Sequence, residues 1–179
     1  MKISTIPTTK ASLITAINES FEIVANQIES TDDTHFNTPD GEKWSIAQHV
    51  DHLIKSSFPV ANALKTSKLL LRAMGKPAYP AVTYEGLYDK YMELLQTGVK
   101  TTTKFDASTE PLDKATLLSN WKMIQGKLAT RIEEKWSEKD LDKYVIPHPY
   151  LGKFSVRQMM YFTTFHTLHH AKAIEKLKQ

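Results

Sequence analysis

Two histidines in the last predicted helix give the sequence its strongest chemical signal. His166 and His170 lie four residues apart in an apolar seam, so their rings project from one helix face a turn apart. Two neighbouring imidazoles in such a seam both lose hydration and repel each other when protonated. A metal ion removes both costs because it binds the lone pair of each neutral ring. The spacing therefore predicts that this pair binds one divalent metal ion.

A third ligand is expected from the second predicted helix, which carries His49 and His52. Measured from the apolar seam of that helix, His49 lies about 60° away and His52 about 120° away, so periodicity alone slightly favours His49. His169 is about 100° round the last helix from His170. It therefore supports a ligand from behind, lines a pocket or lies at the surface. His35 and His148 are expected to be exposed loop histidines.

The composition narrows the chemistry and the partners. The chain has 179 residues and is expected to be a single domain, residues 1–179, with a core large enough to fold without metals or disulfides. It contains no cysteine, which excludes disulfides, thiolate metal sites and cysteine nucleophiles. A metal site must therefore use histidines and carboxylates.

Charge and hydropathy predict where the protein works. The formal net charge is +3, and the lysines and arginines are spread along the chain, so no nucleic-acid partner is expected. The first residues lack the apolar run of a signal peptide, and no stretch approaches the length of a membrane span. We expect a cytoplasmic protein with no membrane partner.

Helical periodicity recurs in four long segments. Capping boxes place the starts of the second and fourth helices, with Ser45 paired to Gln48 and Ser155 paired to Gln158. Pro59 is expected to kink or break the second helix. The four predicted helices cover residues 9–30, 45–73, 111–136 and 155–178.

The connections between these segments complete the predicted fold. About 35 residues separate the second and third helices, and this connection includes a short helix over residues 84–97. Residues 31–41 and 137–153 are rich in turn formers and are expected to be loops. The pattern predicts an all-α protein, an antiparallel four-helix bundle with a long connection between helices two and three.

Two short motifs resemble a known family. The second helix begins Trp44-Ser45, with a histidine eight residues after the tryptophan, and the last helix contains H-x-x-H-H. In this combination the chain resembles the DinB/YfiT-like superfamily of metal-binding four-helix bundles. One departure is that Ala173-Ile174 stands where family members often have Gln-Ile.

The resemblance implies a particular ligand set. It points to His52, His166 and His170, and so overrides the slight helical-wheel preference for His49, which remains the alternative. Three histidines leave a coordination position open, as in catalytic metal sites. The catalytic residues themselves are not indicated.

The resemblance also implies an activity. Characterised relatives include transferases that use low-molecular-weight thiols such as bacillithiol or mycothiol, and others look like metal-dependent hydrolases. We therefore expect a zinc- or nickel-dependent enzyme acting on a small molecule, with a thiol as co-substrate in the transferase case. Relatives often pair, so a homodimer is also implied. The candidate pocket walls are Trp44, Tyr150 and Phe154.

Two alternatives remain open at this stage. A non-catalytic, stress-linked bundle that binds a metal or ligand would close its site with a fourth protein ligand, for instance His49 or a carboxylate. A metal-free structural bundle would use the histidines as hydrogen-bonding core residues.

Overall fold

Four long helices form the body of the protein in the computed structural model, which describes residues 2–100 and 102–178. The elements in chain order are α1 (Lys10–Glu29), α2 (Asp33–Phe36), α3 (Ile46–Ala63), α4 (Lys68–Ala73), α5 (Tyr84–Gln96), a 3₁₀ turn (Thr103–Phe105), α6 (Lys114–Lys135), α7 (Glu138–Lys143), β1 (Val145–His148), β2 (Gly152–Ser155) and α8 (Val156–Leu177). The predicted all-α four-helix bundle with a long second connection is confirmed, with α1, α3, α6 and α8 as its helices.

Side chains predicted to cap helices start the two helices that carry the histidines. Ser45 accepts the backbone N–H of Gln48, whose side chain returns to the backbone N–H of Ser45. Ser155 and Gln158 make the same reciprocal pair at the start of α8. These bonds satisfy backbone donors that the first helical turn leaves unpaired, and they fix where each helix begins.

The bundle helices pack as a ring in which α6 and α8 each lie beside both α1 and α3. Near the C-terminal ends of α1 and α8, the Gln27 side chain donates to the Ala171 carbonyl. Near their N-terminal ends, Arg157 donates to the Thr8 carbonyl, so these two helices run parallel. In the same way α3 and α6 run parallel, because Phe58 meets Lys127 and the next turn of α3 meets Arg131.

The other two neighbouring pairs run antiparallel. In the pair α1 and α6, Trp121 in the first half of α6 donates to the carbonyl of Phe21 in the second half of α1. Lys10 at the start of α1 donates to Glu133 at the end of α6, so the two helices run in opposite directions. The histidine contacts described below run in opposite order along α3 and α8. The long connection makes this mixture possible, since it carries the chain from the end of α3 back to the start of a parallel neighbour.

Three sequence predictions of local structure are corrected. The second helix ends at Ala63 and not near Ala73, because Leu64–Ser67 intervene before the separate helix α4, capped by Ser67. Pro59, expected to kink or break this helix, lies inside α3, so the break is wrong and the kink stays a prediction. The segments expected to be loops contain α2, α7 and the hairpin β1–β2, in which Val145 pairs with Ser155 and His148 with Gly152.

The core lies along the axis of the bundle. Trp121 is fully buried, stacks on Phe21 with ring centroids 3.9 Å apart, and donates its indole N–H to the Phe21 carbonyl at 2.9 Å. Outside this ring of helices, α5 and the hairpin pack on α8, so they cover the face of α8 that carries the histidines. No helix within the described residues is long and apolar enough to cross a membrane.

Candidate metal centre

Three imidazole rings converge between α3 and α8. The Nε2 atoms of His52 and His170 each lie 3.2 Å from Nε2 of His166, and one nitrogen from each ring falls within 4.8 Å of the others. All three side chains are buried. In a tetrahedral zinc site with Zn–N bonds of about 2.0–2.1 Å, neighbouring nitrogens are about 3.3 Å apart. The observed separations therefore fit a site with one ion between the three rings.

Hydrogen bonds to the opposite ring edges determine where the lone pairs point. His52 Nδ1 lies 2.7 Å from the carbonyl oxygen of Phe105, and because a carbonyl only accepts, Nδ1 carries the proton. The neutral ring of His52 then has an unprotonated Nε2 facing His166 and His170. This is the tautomer that a metal ligand requires, set by a hydrogen bond on the far side of the ring.

His49 approaches the cluster from behind. Its Nδ1 lies 2.9 Å from Nδ1 of His170, on the opposite edge of that ring from the nitrogen that faces His166. If His170 donates its Nδ1–H to His49, its Nε2 also presents a lone pair to the centre. His49 is therefore placed to orient His170, and it is not among the three convergent nitrogens.

Without an ion, the three rings cannot satisfy all of one another's hydrogen-bonding nitrogens. Because His52 Nε2 is unprotonated, the contact between His52 and His166 needs the proton of His166. When His49 accepts from His170, the contact between His170 and His166 needs that same proton. One N–H would then serve two acceptors, whereas a single cation binds all three lone pairs. The donor chemistry of the cluster thus fits a divalent metal that accepts nitrogen ligands.

Burial keeps these rings neutral. Desolvation, helped by the neighbouring imidazoles, lowers the pKa of His166 and of His170 well below the ordinary value for histidine. Desolvation also lowers the pKa of His52, and it lowers the pKa of His49 to about 4. Neutral imidazole is the form that binds metal ions, so the electrostatics favour binding near neutral pH.

The Phe105 carbonyl, which accepts the hydrogen bond from His52, belongs to a loop that side chains of α3 bind. The Asp51 carboxylate accepts the backbone N–H of Ser108 at 2.8 Å, and Gln48 donates to the Ser108 carbonyl at 3.1 Å. Lys55 pairs with Asp51 at 2.7 Å and donates to the Asp106 carbonyl at 2.8 Å. Side chains at successive turns of one helix face thereby anchor residues 105–108. These contacts join residues more than fifty positions apart in the chain, so the helical pattern of α3 alone does not predict them.

Trp44 covers one side of the cluster. Its ring centroid lies 5.4 Å from that of His49, 5.1 Å from that of His52 and 6.1 Å from that of His170, with the last pair nearly parallel. The tryptophan that precedes α3 therefore packs directly on the histidines and shields them from water. It was predicted as a pocket wall, and the structure places it against the histidine rings themselves.

A cavity of about 460 Å³ opens onto the other side of the cluster, a size typical of small-molecule sites. It is bounded by α3, α5, α8, the turn before α6 and the hairpin tip. Tyr150, one of the predicted walls, lines it and donates its hydroxyl to the Lys100 carbonyl at 2.8 Å. Phe154, in strand β2 of the hairpin, is fully buried in the core and does not line the cavity.

The remaining histidines divide into surface and cavity positions. His169 is exposed, lines the cavity mouth and packs edge-on to Tyr91. His35 is exposed next to Asp32, as expected, but it lies in the short helix α2 and not in a loop. The expectation of an exposed loop for His148 is wrong: it ends β1, is partly buried against Phe162 and lines the cavity. Its position depends on strand pairing, which two flanking prolines conceal in the sequence.

Comparison with known proteins adds the family. A model of the DinB superfamily matches residues 12–174. The solved structure of the colibactin self-resistance protein ClbS in complex with double-stranded DNA is 20% identical, with a TM-score of 0.60 over 98% of both chains. YfiT from Bacillus subtilis, described as a probable metal-dependent hydrolase with an unusual four-helix bundle topology, is 17% identical, with a TM-score of 0.62 over 99% of this chain and 90% of YfiT.

A third structure, an uncharacterised protein from Escherichia coli UTI89, is 16% identical, with a TM-score of 0.54 over 97% of this chain and 92% of that one. A comparison with curated proteins gives no match. At these identities the solved structures establish the shared fold.

One expectation about partners is overturned by this comparison. The dispersed positive charge of the sequence predicts no nucleic-acid partner, yet ClbS, which shares the fold, is seen bound to double-stranded DNA. Charge spacing along a chain does not reveal which lysines and arginines meet on the folded surface, so the exclusion does not hold.

The family model covers both histidine-bearing helices and nearly the whole bundle. The fold comparisons agree with it over almost the full length of the chain. This chain is a member of the DinB superfamily.

Proposed function

We propose that His52, His166 and His170 bind one divalent metal ion and that the protein is a metal-dependent hydrolase of a small molecule. The observation that carries the proposal is the convergence of three Nε2 atoms, with 3.2 Å between His166 and each of the others. Zinc and nickel both suit three imidazole ligands. A metal ion held this way keeps a position for water and lowers the pKa of that water towards neutrality.

The surroundings favour an open, catalytic centre over a closed, non-catalytic one. Within residues 2–100 and 102–178, no fourth histidine or carboxylate joins the convergent group. His49 faces the far edge of His170, and the carboxylate of Asp51 is occupied by Ser108 and Lys55. The side chains offered as closing ligands in the alternative therefore have other partners, and the cavity reaches the histidines directly.

Each neighbouring residue has a separate task in this proposal. Phe105 holds the tautomer of His52 through its carbonyl, and His49 orients His170. Trp44 excludes water from one side of the rings, so that the cavity is the route by which substrate and water arrive. The hydrolysed bond is placed at the cavity floor, next to the three nitrogens.

Hydrolysis is proposed ahead of thiol-dependent transfer. The description of YfiT as a probable metal-dependent hydrolase supports it. The cavity wall has Lys100 as its charged side chain among the described residues, histidines aside, so it offers few partners for a thiol with several charged groups, such as bacillithiol. The thiol co-substrate, the choice between zinc and nickel, and the homodimer stay predictions.

The first test is metal content. The protein, purified without a histidine tag, is analysed by elemental mass spectrometry beside His170→Ala and a control, His35→Ala, at an exposed position of α2. We expect about one zinc or nickel per chain in the wild type and the control and none in His170→Ala. The absence of metal from the wild type, even after incubation with excess zinc or nickel, would contradict the proposed metal site.

The second test is reactivity. The metal-loaded protein is assayed against a panel of neutral esters, amides and lactones, before and after treatment with a chelator. We expect hydrolysis that the chelator abolishes and added metal restores, and that His170→Ala lacks. Turnover that survives both the chelator and the substitution would not come from this site.

A further inference from the structure

His148 presents a fixed hydrogen-bond donor that the metal site does not use. Its Nδ1 accepts the backbone N–H of Tyr150 at 3.3 Å and of Leu151 at 3.0 Å. Because both partners only donate, Nδ1 is unprotonated, and the proton of the neutral ring lies on Nε2. The hairpin turn therefore fixes the tautomer of His148.

The ring of His148 is held in an apolar wall. It lies edge-on to Phe162, with centroids 4.4 Å apart, and 5.0 Å from Phe154. Burial lowers the pKa of His148 to about 4, so the ring is neutral at physiological pH. Phe162 in turn stacks on His166 with centroids 5.0 Å apart, which joins His148 to the histidine cluster through a single intervening ring.

The Nε2–H of His148 has no hydrogen-bond partner in the part of the chain that the structure describes. The residue lines the same cavity as His52, His166 and His170. An N–H that faces an otherwise apolar space without a partner loses a hydrogen bond, and a ligand acceptor would restore it.

The rest of the cavity wall is mainly apolar. Helices α3, α5 and α8 and strand β1 contribute aliphatic and aromatic side chains: Val60, Leu94, Leu95, Ile146, Met159 and Phe162. Such walls bind the hydrocarbon body of a ligand, and the few polar groups fix its orientation. The polar side chains of the lining include the histidines of the cluster and His148, together with Ser56, Lys100 and Thr102.

We propose that this cavity binds an apolar small molecule with one oxygen-bearing head group, such as an ester, amide or carboxylate. The head group lies at the three convergent histidines and accepts a hydrogen bond from His148 Nε2–H, and the body lies along the apolar wall. This inference rests on the proposed function and deepens it, because it names the substrate class and adds His148 as a residue that contacts the head group.

Two hydroxamates test the substrate class, since both carry the same metal-binding oxygens. Octanohydroxamate and acetohydroxamate are titrated into zinc-loaded and metal-free protein by isothermal titration calorimetry. We expect octanohydroxamate to bind zinc-loaded protein about tenfold more tightly than acetohydroxamate or better, since a tenfold gain in affinity needs fewer than two fully buried methylenes. We also expect the chain-length preference to persist, at lower affinity, without zinc.

A matched pair of variants locates the preference. Leu95→Glu puts a charge into the cavity wall and should abolish the chain-length preference. Leu69→Glu makes the same change on α4 at a side chain that is 77% exposed and outside the cavity, and it should leave the preference intact. Equal effects of the two substitutions, or none from Leu95→Glu, would overturn the assignment of the wall.

His148→Asn tests the head-group contact. The asparagine oxygen can replace Nδ1 as the acceptor for the turn, but the variant has no donor at the position of Nε2. We expect about five- to tenfold weaker binding of both hydroxamates, with unchanged zinc content and unchanged circular dichroism. Unchanged affinity in a folded variant would remove His148 from the site.

The outcomes separate this inference from the metal centre. If the wild type binds no zinc, the proposed function fails, and the preference of the metal-free protein still decides whether the cavity binds apolar chains. If zinc binds and the two hydroxamates bind equally well, the cavity assignment fails and the metal centre stands.

Discussion

His52 donates its Nδ1–H to the carbonyl oxygen of Phe105 at 2.7 Å, and this bond joins the candidate metal centre to the long connection of the bundle. The connection between α3 and α6 thus orients a ring of the convergent cluster in addition to linking two parallel helices. The bond is effective because α3 anchors the neighbouring loop residues with the side chains on either side of His52 along one helix face.

Removing the anchor at Asp51 should weaken metal binding without removing a ligand. In Asp51→Ala the N–H of Ser108 loses its acceptor, so the loop that carries the Phe105 carbonyl is less firmly held. We expect zinc affinity to fall about tenfold, as is common when a group supporting a metal ligand is lost, with about one zinc still bound per chain at saturation. Competition with a chelating dye measures the change.

Asp40→Ala is the matched control for this loop. Asp40 is an exposed aspartate whose side chain pairs with Lys43 and, among the described residues, makes no hydrogen bond to residues 105–108 or to a histidine. Its loss should leave the zinc affinity unchanged. An Asp51→Ala protein that binds zinc as tightly as the wild type would show that the hydrogen bonds from α3 to residues 105–108 do not position His52.

His49 should act on affinity and not on stoichiometry. In His49→Ala the Nδ1–H of His170 loses its acceptor, and we expect one zinc per chain with about ten- to a hundredfold lower affinity. His49→Asn places an oxygen near the position of Nδ1 and should recover much of the loss. Complete loss of metal from His49→Ala would instead make His49 a ligand.

Acid should destabilise the metal-free protein through its buried histidines. In the folded state the pKa of His49 and of His148 is about 4, below the ordinary 6.5 that the unfolded chain has. Between these values the unfolded chain binds more protons, so the free energy of unfolding falls as the pH drops below about 6.5. Urea unfolding at about pH 7.5 and about pH 5 measures this loss.

The same measurement on His148→Asn isolates one contribution. A variant without this imidazole should lose about 2 kcal/mol less stability than the wild type over that pH range. Identical pH dependence in the two proteins would mean that His148 protonates in the folded state, in conflict with its burial against Phe162.

The core at Trp121 should determine stability independently of the metal. Trp121→Ala removes the stack on Phe21 and leaves a cavity, which costs about 3–5 kcal/mol of unfolding free energy. Trp121→Phe keeps an aromatic ring but removes the indole N–H that donates to the Phe21 carbonyl, which costs about 1 kcal/mol. Urea unfolding of the metal-free proteins tests whether the phenylalanine variant is more stable than the alanine variant.

Zinc content is the second measurement on these core variants. The folded fraction of each should bind zinc as the wild type does, because Trp121 lies between α1 and α6, away from the histidines. An alanine variant as stable as the phenylalanine variant would contradict the account of this core.

Local patterns in the sequence were enough for the starts of α3 and α8 and for two of the convergent histidines. The capping boxes at Ser45 and Ser155 act over three residues, so the starts of α3 and α8 could be predicted from neighbours alone. His166 and His170 share a helix face by spacing, and the structure brings their Nε2 atoms to 3.2 Å. Both features depend on geometry within a single helix.

Tertiary structure decided what the spacing left open. Periodicity slightly favoured His49 over His52, because it gives an angle around one helix but not the direction from which α8 approaches. The antiparallel packing of α3 on α8 places His52 at the front of the cluster and His49 behind it. The roles of Phe105 and His148 depend on a distant loop and on strand pairing, so only the folded chain assigns them.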